Sequence, residues 1–147
     1  MRRLRTRWLT MAAGMVLALV SSGCGGGGNS VDATLSNFEI DLDSSTVDSG
    51  EVRFKIKNNG PSVHELVVFK TDLAPDKLPT TQDAGVTIVD EEGPGVEAVD
   101  EVEDIANGAS AELNVNLQPG KYVLLCNRSE DGGHYSQGMH AAFMVSS

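Results

Sequence analysis

Residues 122–145 read YVLLCNRSEDGGHYSQGMHAAFMV. An apolar, β-prone run ends at Cys126, a polar loop contains His134, and Met139 opens a second apolar run. Two neighbouring strands that hold both ends of such a loop can bring its thiolate, imidazole and thioether to one point. Soft sulfur combined with nitrogen suits copper best. The segment therefore predicts two strands joined by a metal-binding loop.

The chain from Val31 onward is typical of an all-β protein. In residues 51–57 and 111–117 apolar side chains alternate with polar ones, which indicates strands with one buried face. Residues 71–107 are rich in Asp, Glu, Pro and Gly, and they predict a long, partly extended surface excursion. About seven short strands favour a β-sandwich or barrel. The other predicted strands are residues 37–42, 66–69, 121–126 and 141–145, with β-prone pieces at 86–89 and 96–102.

A fourth ligand must come from outside the loop, and the chain has three histidines, at positions 64, 134 and 140. His64 lies where a polar Asn-Gly-Pro turn leads into an apolar strand. A strand start beside the Cys126 end of the sheet would place His64 opposite the loop. Two histidines and a cysteine with a long axial methionine form the type 1 copper site. We therefore expect His64, Cys126, His134 and Met139 to bind one copper ion.

Two segments resemble known copper proteins. NNGPSVHE, at residues 58–65, is similar to the first-histidine segment of plastocyanin-type cupredoxins. GKYVLLCN, followed by GHYSQGMHAAFMV, is similar to the Cys-His-Met loop of small bacterial cupredoxins. The likeness covers most of residues 31–147. It implies a cupredoxin-like Greek-key β-sandwich or barrel of about seven to eight strands, with one type 1 copper that alternates between Cu(I) and Cu(II).

The resemblance also implies a role for each ligand. His64 and His134 would be the imidazole ligands, Cys126 the short thiolate ligand and Met139 the weak axial ligand. In the family the edge of the second histidine reaches the surface, so His134 would be the exit for the electron. Asn59 would brace the His64 loop through backbone hydrogen bonds.

Two features depart from the family pattern. The loop from Cys126 to His134 is longer than in plastocyanin or azurin, and Glu65 replaces the asparagine that is common after the first histidine. Both bear on the redox potential and the docking surface more than on metal binding. Each ligand also has an ordinary explanation when it is taken singly: Cys126 as a small buried hydrophobe, His64 as a turn residue and Met139 as core.

Two further residues of the final strand could be mistaken for ligands. Alternation along the strand would turn His140 to the face opposite Met139, so we expect His140 at the surface. We expect Met144 in the hydrophobic core.

The first 23 residues have the layout of an export signal. Four arginines precede an apolar run of 13 residues, from Trp8 to Val20, which is shorter than the roughly 20 residues of a spanning helix. The segment VSSGC resembles a bacterial lipoprotein cleavage box. It predicts a signal at residues 1–23, a lipidated Cys24 with a Gly-rich tether at 24–30, and a cupredoxin domain at 31–147. The domain would be anchored to the bacterial cell membrane on its extracytoplasmic side. The alternative is a plain secretory signal that leaves a thiol at Cys24.

Charge restricts the choice of partners. Without the four arginines of the signal, seven basic and 21 acidic side chains remain, which gives a net charge of −14. Nucleic acid is therefore not expected as a partner. Acidic residues cluster in residues 83–104. They could steer a basic redox protein such as a c-type cytochrome or a terminal oxidase, or they could form a merely solvated loop.

These observations favour a monomeric one-electron carrier without catalytic activity of its own. Three histidines with no His-x-His pair cannot build the multicopper centre that substrate oxidation by oxygen requires. Two alternatives stay open. The same four ligands could store or deliver copper at the membrane, or the domain could be a metal-free cupredoxin-like binding module.

Overall fold

The computed structural model of the protein describes residues 29–147. The predicted export signal, Cys24 and the tether up to residue 28 lie outside the described residues. Within residues 29–147, no helix is long and apolar enough to cross a membrane. The elements of this part are two short 3₁₀ helices, Glu130–Gly132 and Tyr135–Gln137, and eleven strands: β1 (Asn29–Ser36), β2 (Glu39–Leu42), β3 (Thr46–Asp48), β4 (Gly50–Asn58), β5 (His64–Lys70), β6 (Thr80–Asp83), β7 (Val86–Val89), β8 (Glu97–Ile105), β9 (Ser110–Leu117), β10 (Gly120–Leu125) and β11 (His140–Ser146).

The strands form two main sheets and one hairpin. One sheet has the order β2-β1-β4-β9, the other has the order β3-β11-β10-β5-β8, and β6 pairs with β7. The pairs β1–β4 and β3–β11 are parallel, and the remaining pairs are antiparallel. Since the chain passes between the two sheets from β4 to β5, from β8 to β9 and from β9 to β10, the arrangement is a β-sandwich, as predicted.

Alternation along β4 and β9 places the core between the two sheets. The apolar side chains of β4 are buried, and Phe54 stands opposite Leu113 of β9. Phe143 of β11 meets Phe54 edge-on, with ring centroids 5.4 Å apart, so the two sheets contact each other through aromatic rings. Burying one such ring stabilises the fold by about 1.5–3 kcal/mol. The intervening Arg53 faces solvent, where its Nε donates to Asn114 Oδ1 at 3.0 Å.

The strands are more numerous than predicted, and the first described strand begins earlier. The additional strands are β1 and the short strands β3 and β6. Residues 37–42 were predicted as the first strand; Glu39–Leu42 form β2, and β1, from Asn29 to Ser36, precedes it. Val31, Ala33 and Leu35 are buried in β1, so the alternation that predicts it is present in the sequence. Asn29 and Ser30 belong to this strand rather than to a tether, because they pair with Val52 and Arg53.

Residues 71–107 are more ordered than a surface excursion. β8 pairs with β5 along the edge of the five-stranded sheet. Leu78 and Val89 are buried in a second apolar cluster, which covers the outer faces of β5 and β10. Every residue of β5 except the last is buried. A strand that is apolar on both faces requires cover on both sides, and this segment provides it.

Met144 is exposed, with 39% of its surface accessible, so its predicted place in the core is wrong. Phe143 and Val145 are the inward residues of β11. Because side chains alternate along a strand, a residue between two inward ones must face outward.

Candidate metal centre

The pairing of β5 with β10 brings two predicted ligands to one end of a sheet. His64 is the first residue of β5, and Cys126 follows directly after β10. The two strands are antiparallel and pair Val67 with Leu125, so the start of β5 lies beside the end of β10. Both side chains are wholly buried.

The loop from Cys126 to Met139 is closed by its own backbone. The Cys126 N–H donates to the Met139 carbonyl at 3.1 Å, and the Met139 N–H donates to the His134 carbonyl at 3.1 Å. Gly133 lets the loop pass close to β7: its φ is +88°, and a Cβ there would lie 2.7 Å from Val86 Cγ1. Glycine is required at such a position, both for its backbone angle and for the space. These contacts fix where His134 lies.

Three electron-pair donors converge on one buried point. His134 Nδ1 lies 3.3 Å from Cys126 Sγ and 3.1 Å from His64 Nδ1, and His64 Nδ1 lies 3.9 Å from Cys126 Sγ. All three atoms lie within 4.8 Å of one another. The Met139 side chain is also wholly buried and belongs to the same core cluster as Cys126. The donor set of two imidazoles, a thiol and a buried thioether fits one type 1 copper ion.

Burial sets the protonation of the cluster. It lowers the pKa of His64 to about 4, and the neighbouring His134 adds to this shift. It also lowers the pKa of His134, which the Asp131 carboxylate partly offsets. The same burial raises the pKa of the Cys126 thiol to about 11. At neutral pH both rings are therefore neutral and can offer a lone pair, as metal ligation demands.

A buried carboxylic acid, Glu65, lies beside Cys126. The Glu65 N–H donates to Cys126 Sγ at 3.4 Å, which favours negative charge on sulfur. The Glu65 side chain is nearly buried and accepts from the Asn127 N–H at 2.8 Å. Burial raises the pKa of Glu65 to about 7, although this hydrogen bond and Arg128 act in the opposite direction. Glu65 therefore ties the start of β5 to the residue that follows Cys126.

Asn58, rather than Asn59, braces the His64 loop through its side chain. The buried Asn58 amide donates to the carbonyls of Ser62 and Ile105, both at 2.8 Å, and accepts from the Gly60 N–H at 2.9 Å. Asn59 is exposed, and its backbone N–H donates to the Leu35 carbonyl. The sequence shows two consecutive asparagines and no feature that distinguishes their roles. In the structure Asn58, the last residue of β4, is buried, and its side chain therefore makes the bracing hydrogen bonds.

His134 is wholly buried, so its ring edge does not reach the surface as expected. Phe38 packs edge-on against the ring, with centroids 5.0 Å apart. The outer Nε2 of His134 makes no hydrogen bond in the described part of the chain, and Asp131 Oδ2 lies 3.8 Å from it. Other side chains, Phe38 among them, therefore separate the His134 ring from solvent.

His140 lies outside the donor cluster and is half-buried rather than fully at the surface. Its ring packs at 5.3 Å against that of Tyr135, inside the ligand loop. The Tyr135 hydroxyl donates to the Pro75 carbonyl at 2.9 Å and accepts from the Leu78 N–H at 3.2 Å. The loop is thereby fastened to the segment before β6, a contact for which the sequence offered no signal.

Solved structures similar to the described fold include three auracyanins. Reduced auracyanin from the photosynthetic bacterium Roseiflexus castenholzii has a TM-score of 0.57 and 20% identity, over 83% of this chain and 100% of that one. Auracyanin B has a TM-score of 0.54 and 15% identity, over 81% and 89%. Auracyanin A, a blue copper protein from Chloroflexus aurantiacus, has a TM-score of 0.50 and 17% identity, over 82% and 100%.

No protein-family model and no curated protein sequence matches the chain. The likeness to the auracyanins lies in backbone structure, since sequence identity is 20% or less. The protein therefore has the cupredoxin fold.

Proposed function

We propose that the protein carries single electrons through one type 1 copper ion, held by His64, Cys126, His134 and Met139. The observation that supports this most is the convergence of two imidazole Nδ1 atoms and one thiol sulfur at a fully buried point. A trigonal His2Cys set with a weak axial sulfur suits both oxidation states of copper. Little has to move when an electron arrives or leaves.

Copper addition followed by electrochemistry tests this proposal. Stepwise addition of Cu(II) to the purified protein should produce an intense absorption band toward the red end of the visible spectrum, saturating at one copper per chain. Voltammetry of the loaded protein should then show a reversible one-electron couple. A colourless protein with weak copper binding would instead support the metal-free module. Rapid loss of copper to a Cu(I) chelator upon reduction would support storage or delivery.

The extracytoplasmic location and the membrane anchor also belong to the proposal. They are supported by the arginine-rich start, the apolar run and Cys24 of the sequence. Acyl chains on Cys24 would hold the domain at the membrane surface through burial of their methylenes. The mass of the N-terminal peptide of the mature protein decides between a lipidated Cys24 and a free thiol.

Acidic side chains on β8 support the further proposal that the redox partner is a basic protein, such as a c-type cytochrome. β8 is an edge strand, and its last residue, Ile105, pairs with His64, so the strand leads directly to the donor cluster. Negative charge near the site of electron exit accelerates association with a positively charged partner. We define the β8 acidic surface by five exposed carboxylates: Glu97, Asp100, Glu101, Glu103 and Asp104.

Neutralising this surface should slow electron transfer to a basic c-type cytochrome. We expect the double substitution Asp100→Asn with Glu101→Gln to lower the second-order rate constant at low ionic strength by about tenfold. It should also flatten the dependence of that rate on salt, since screening acts on these charges. Stopped-flow mixing measures both. Glu51→Gln with Glu112→Gln removes the same charge from the opposite sheet and should have little effect; an equal effect of the two pairs would contradict a localised docking surface.

A further inference from the structure

The outer nitrogens of the two histidines face a group of polar side chains from three separate loops. His64 Nε2 lies 2.9 Å from Asn37 Oδ1, Asn37 Nδ2 donates to Ser62 Oγ at 2.8 Å, and Ser62 Oγ donates to Asp131 Oδ2 at 2.7 Å. We call Asn37, Ser62 and Asp131 the outer relay. Asn37 follows β1, Ser62 precedes β5, and Asp131 lies in the ligand loop.

Close packing at Gly60 shows that the relay has a tightly fitted place in the fold. A Cβ at Gly60 would lie 2.7 Å from Asn37 Oδ1 and 3.0 Å from His64 Nε2. Contacts under 3 Å would force Asn37 away from the His64 ring. The absence of a side chain at residue 60 therefore allows Asn37 to reach His64.

The carboxylate at one end fixes the direction of every hydrogen bond in the relay. An ionised Asp131 can only accept, so the Ser62 hydroxyl must donate to it. The Ser62 oxygen then accepts from the Asn37 amide nitrogen, which turns Asn37 Oδ1 toward His64. Because Oδ1 only accepts, the proton of the His64 ring must be on Nε2. The inner Nδ1 of His64 is thereby left with a free lone pair.

The same carboxylate stands beside the outer nitrogen of the other histidine. His134 Nε2 is buried and lacks a hydrogen bond within the described residues, at 3.8 Å from Asp131 Oδ2. Without a metal, His134 Nδ1 can donate to His64 Nδ1 across 3.1 Å, so that Nε2 needs no acceptor. When both Nδ1 atoms serve as ligands, the His134 proton must move to Nε2. A buried N–H then requires an acceptor, and the Asp131 carboxylate is the neighbouring group that can accept.

We propose that Asp131 is a positioning residue for both histidines, acting on His64 through Ser62 and Asn37 and on His134 directly. This inference rests on the proposed function, because it assigns the role of the residues that support the copper ligands. An acceptor on the outer N–H of a metal-bound imidazole fixes its tautomer and raises its basicity. Asp131 therefore favours Cu(II) over Cu(I) and lowers the reduction potential.

Two substitutions interrupt the relay in different ways. Asp131→Asn keeps the shape and tolerates the positive φ of 52° at this position, but it no longer fixes the hydrogen-bond direction. Ser62→Ala removes the middle of the relay without changing charge. We expect each to raise the reduction potential and to weaken Cu(II) binding by about tenfold to hundredfold. Glu130→Gln is the matched control, since it removes a neighbouring carboxylate outside the relay.

Nitrogen-15 NMR of the imidazole rings adds a measurement that needs no copper. In the metal-free wild type, His64 should carry its proton on Nε2, and both variants should show a population with the proton on Nδ1. Equal shifts of potential in Asp131→Asn and Glu130→Gln would overturn the proposal, and so would an unchanged His64 tautomer in both relay variants. If the wild type lacks the copper-thiolate band, the proposed function is refuted. The tautomer measurement needs no copper, so it tests the relay separately.

Discussion

Cys126→Ser is expected to abolish the intense visible band of the copper-loaded protein completely. The band arises from charge transfer between a thiolate and Cu(II), and a serine hydroxyl cannot replace the thiolate. Cys126 is the free cysteine of the described residues, and its sulfur is one of the three converging donors. Absorption spectroscopy after addition of one equivalent of Cu(II) measures the effect. Far-UV circular dichroism of the variant should show that the β-sandwich is still folded.

Two controls make the Cys126 result specific. The variant keeps Cys24, so loss of the band would assign the thiolate to Cys126 and not to the N-terminal cysteine. His140→Gln should retain the band, since His140 lies outside the donor cluster and packs against Tyr135. A band that survives in Cys126→Ser would refute the proposed ligand set. A band that disappears in His140→Gln would show that His140, rather than His134, is the second histidine ligand.

Asn58→Ala is expected to lower the free energy of unfolding of the metal-free protein by about 3 kcal/mol. The Asn58 side chain satisfies the Ser62 and Ile105 carbonyls and the Gly60 N–H. Each hydrogen bond contributes about 1 kcal/mol, and a buried group that loses its partner costs about 1–3 kcal/mol. Urea denaturation followed by far-UV circular dichroism measures the change. Cu(II) binding should also weaken, since the loop before His64 loses its anchor.

Asn59→Ala is the matched control for this prediction. Asn59 is the neighbouring asparagine, and its side chain is exposed. Surface substitutions of this kind usually change stability by no more than about 0.5 kcal/mol. Equal destabilisation by the two substitutions would show that the buried amide of Asn58 does not hold the His64 loop.

The class of fold could be predicted from local patterns. Alternating apolar residues in the segments that form β4 and β9 are visible in the sequence, and so are the turn residues between strands. The cupredoxin fold is confirmed by the structure and its likeness to the auracyanins. The predicted strand boundaries and the predicted exposure of single residues were less accurate. Met144 was misplaced because in a two-residue period an error of one position exchanges the two faces of a strand.

The candidate site could be predicted as a set of residue types in order. The spacing from Cys126 to His134 and Met139 lies within one loop, where the sequence order limits the geometry. His64 could be added because it begins a strand. The side chains that support these residues could not be found in this way. Asn37 and Asp131 lie 94 positions apart in the sequence, as their numbers show, and no local pattern relates them.

The sequence by itself determined an all-β domain, the order of the four candidate ligands and the negative charge of the chain. These properties depend on residue types and on short spacings. Only the tertiary structure decided that Asn58 braces the His64 loop, that Phe38 covers His134, and that Ser62 links Asn37 to Asp131 beside the two imidazoles. The physical reason is that these contacts join loops that pairing within and between the two sheets brings to one end of the sandwich, and such contacts depend on position in space rather than on distance along the chain.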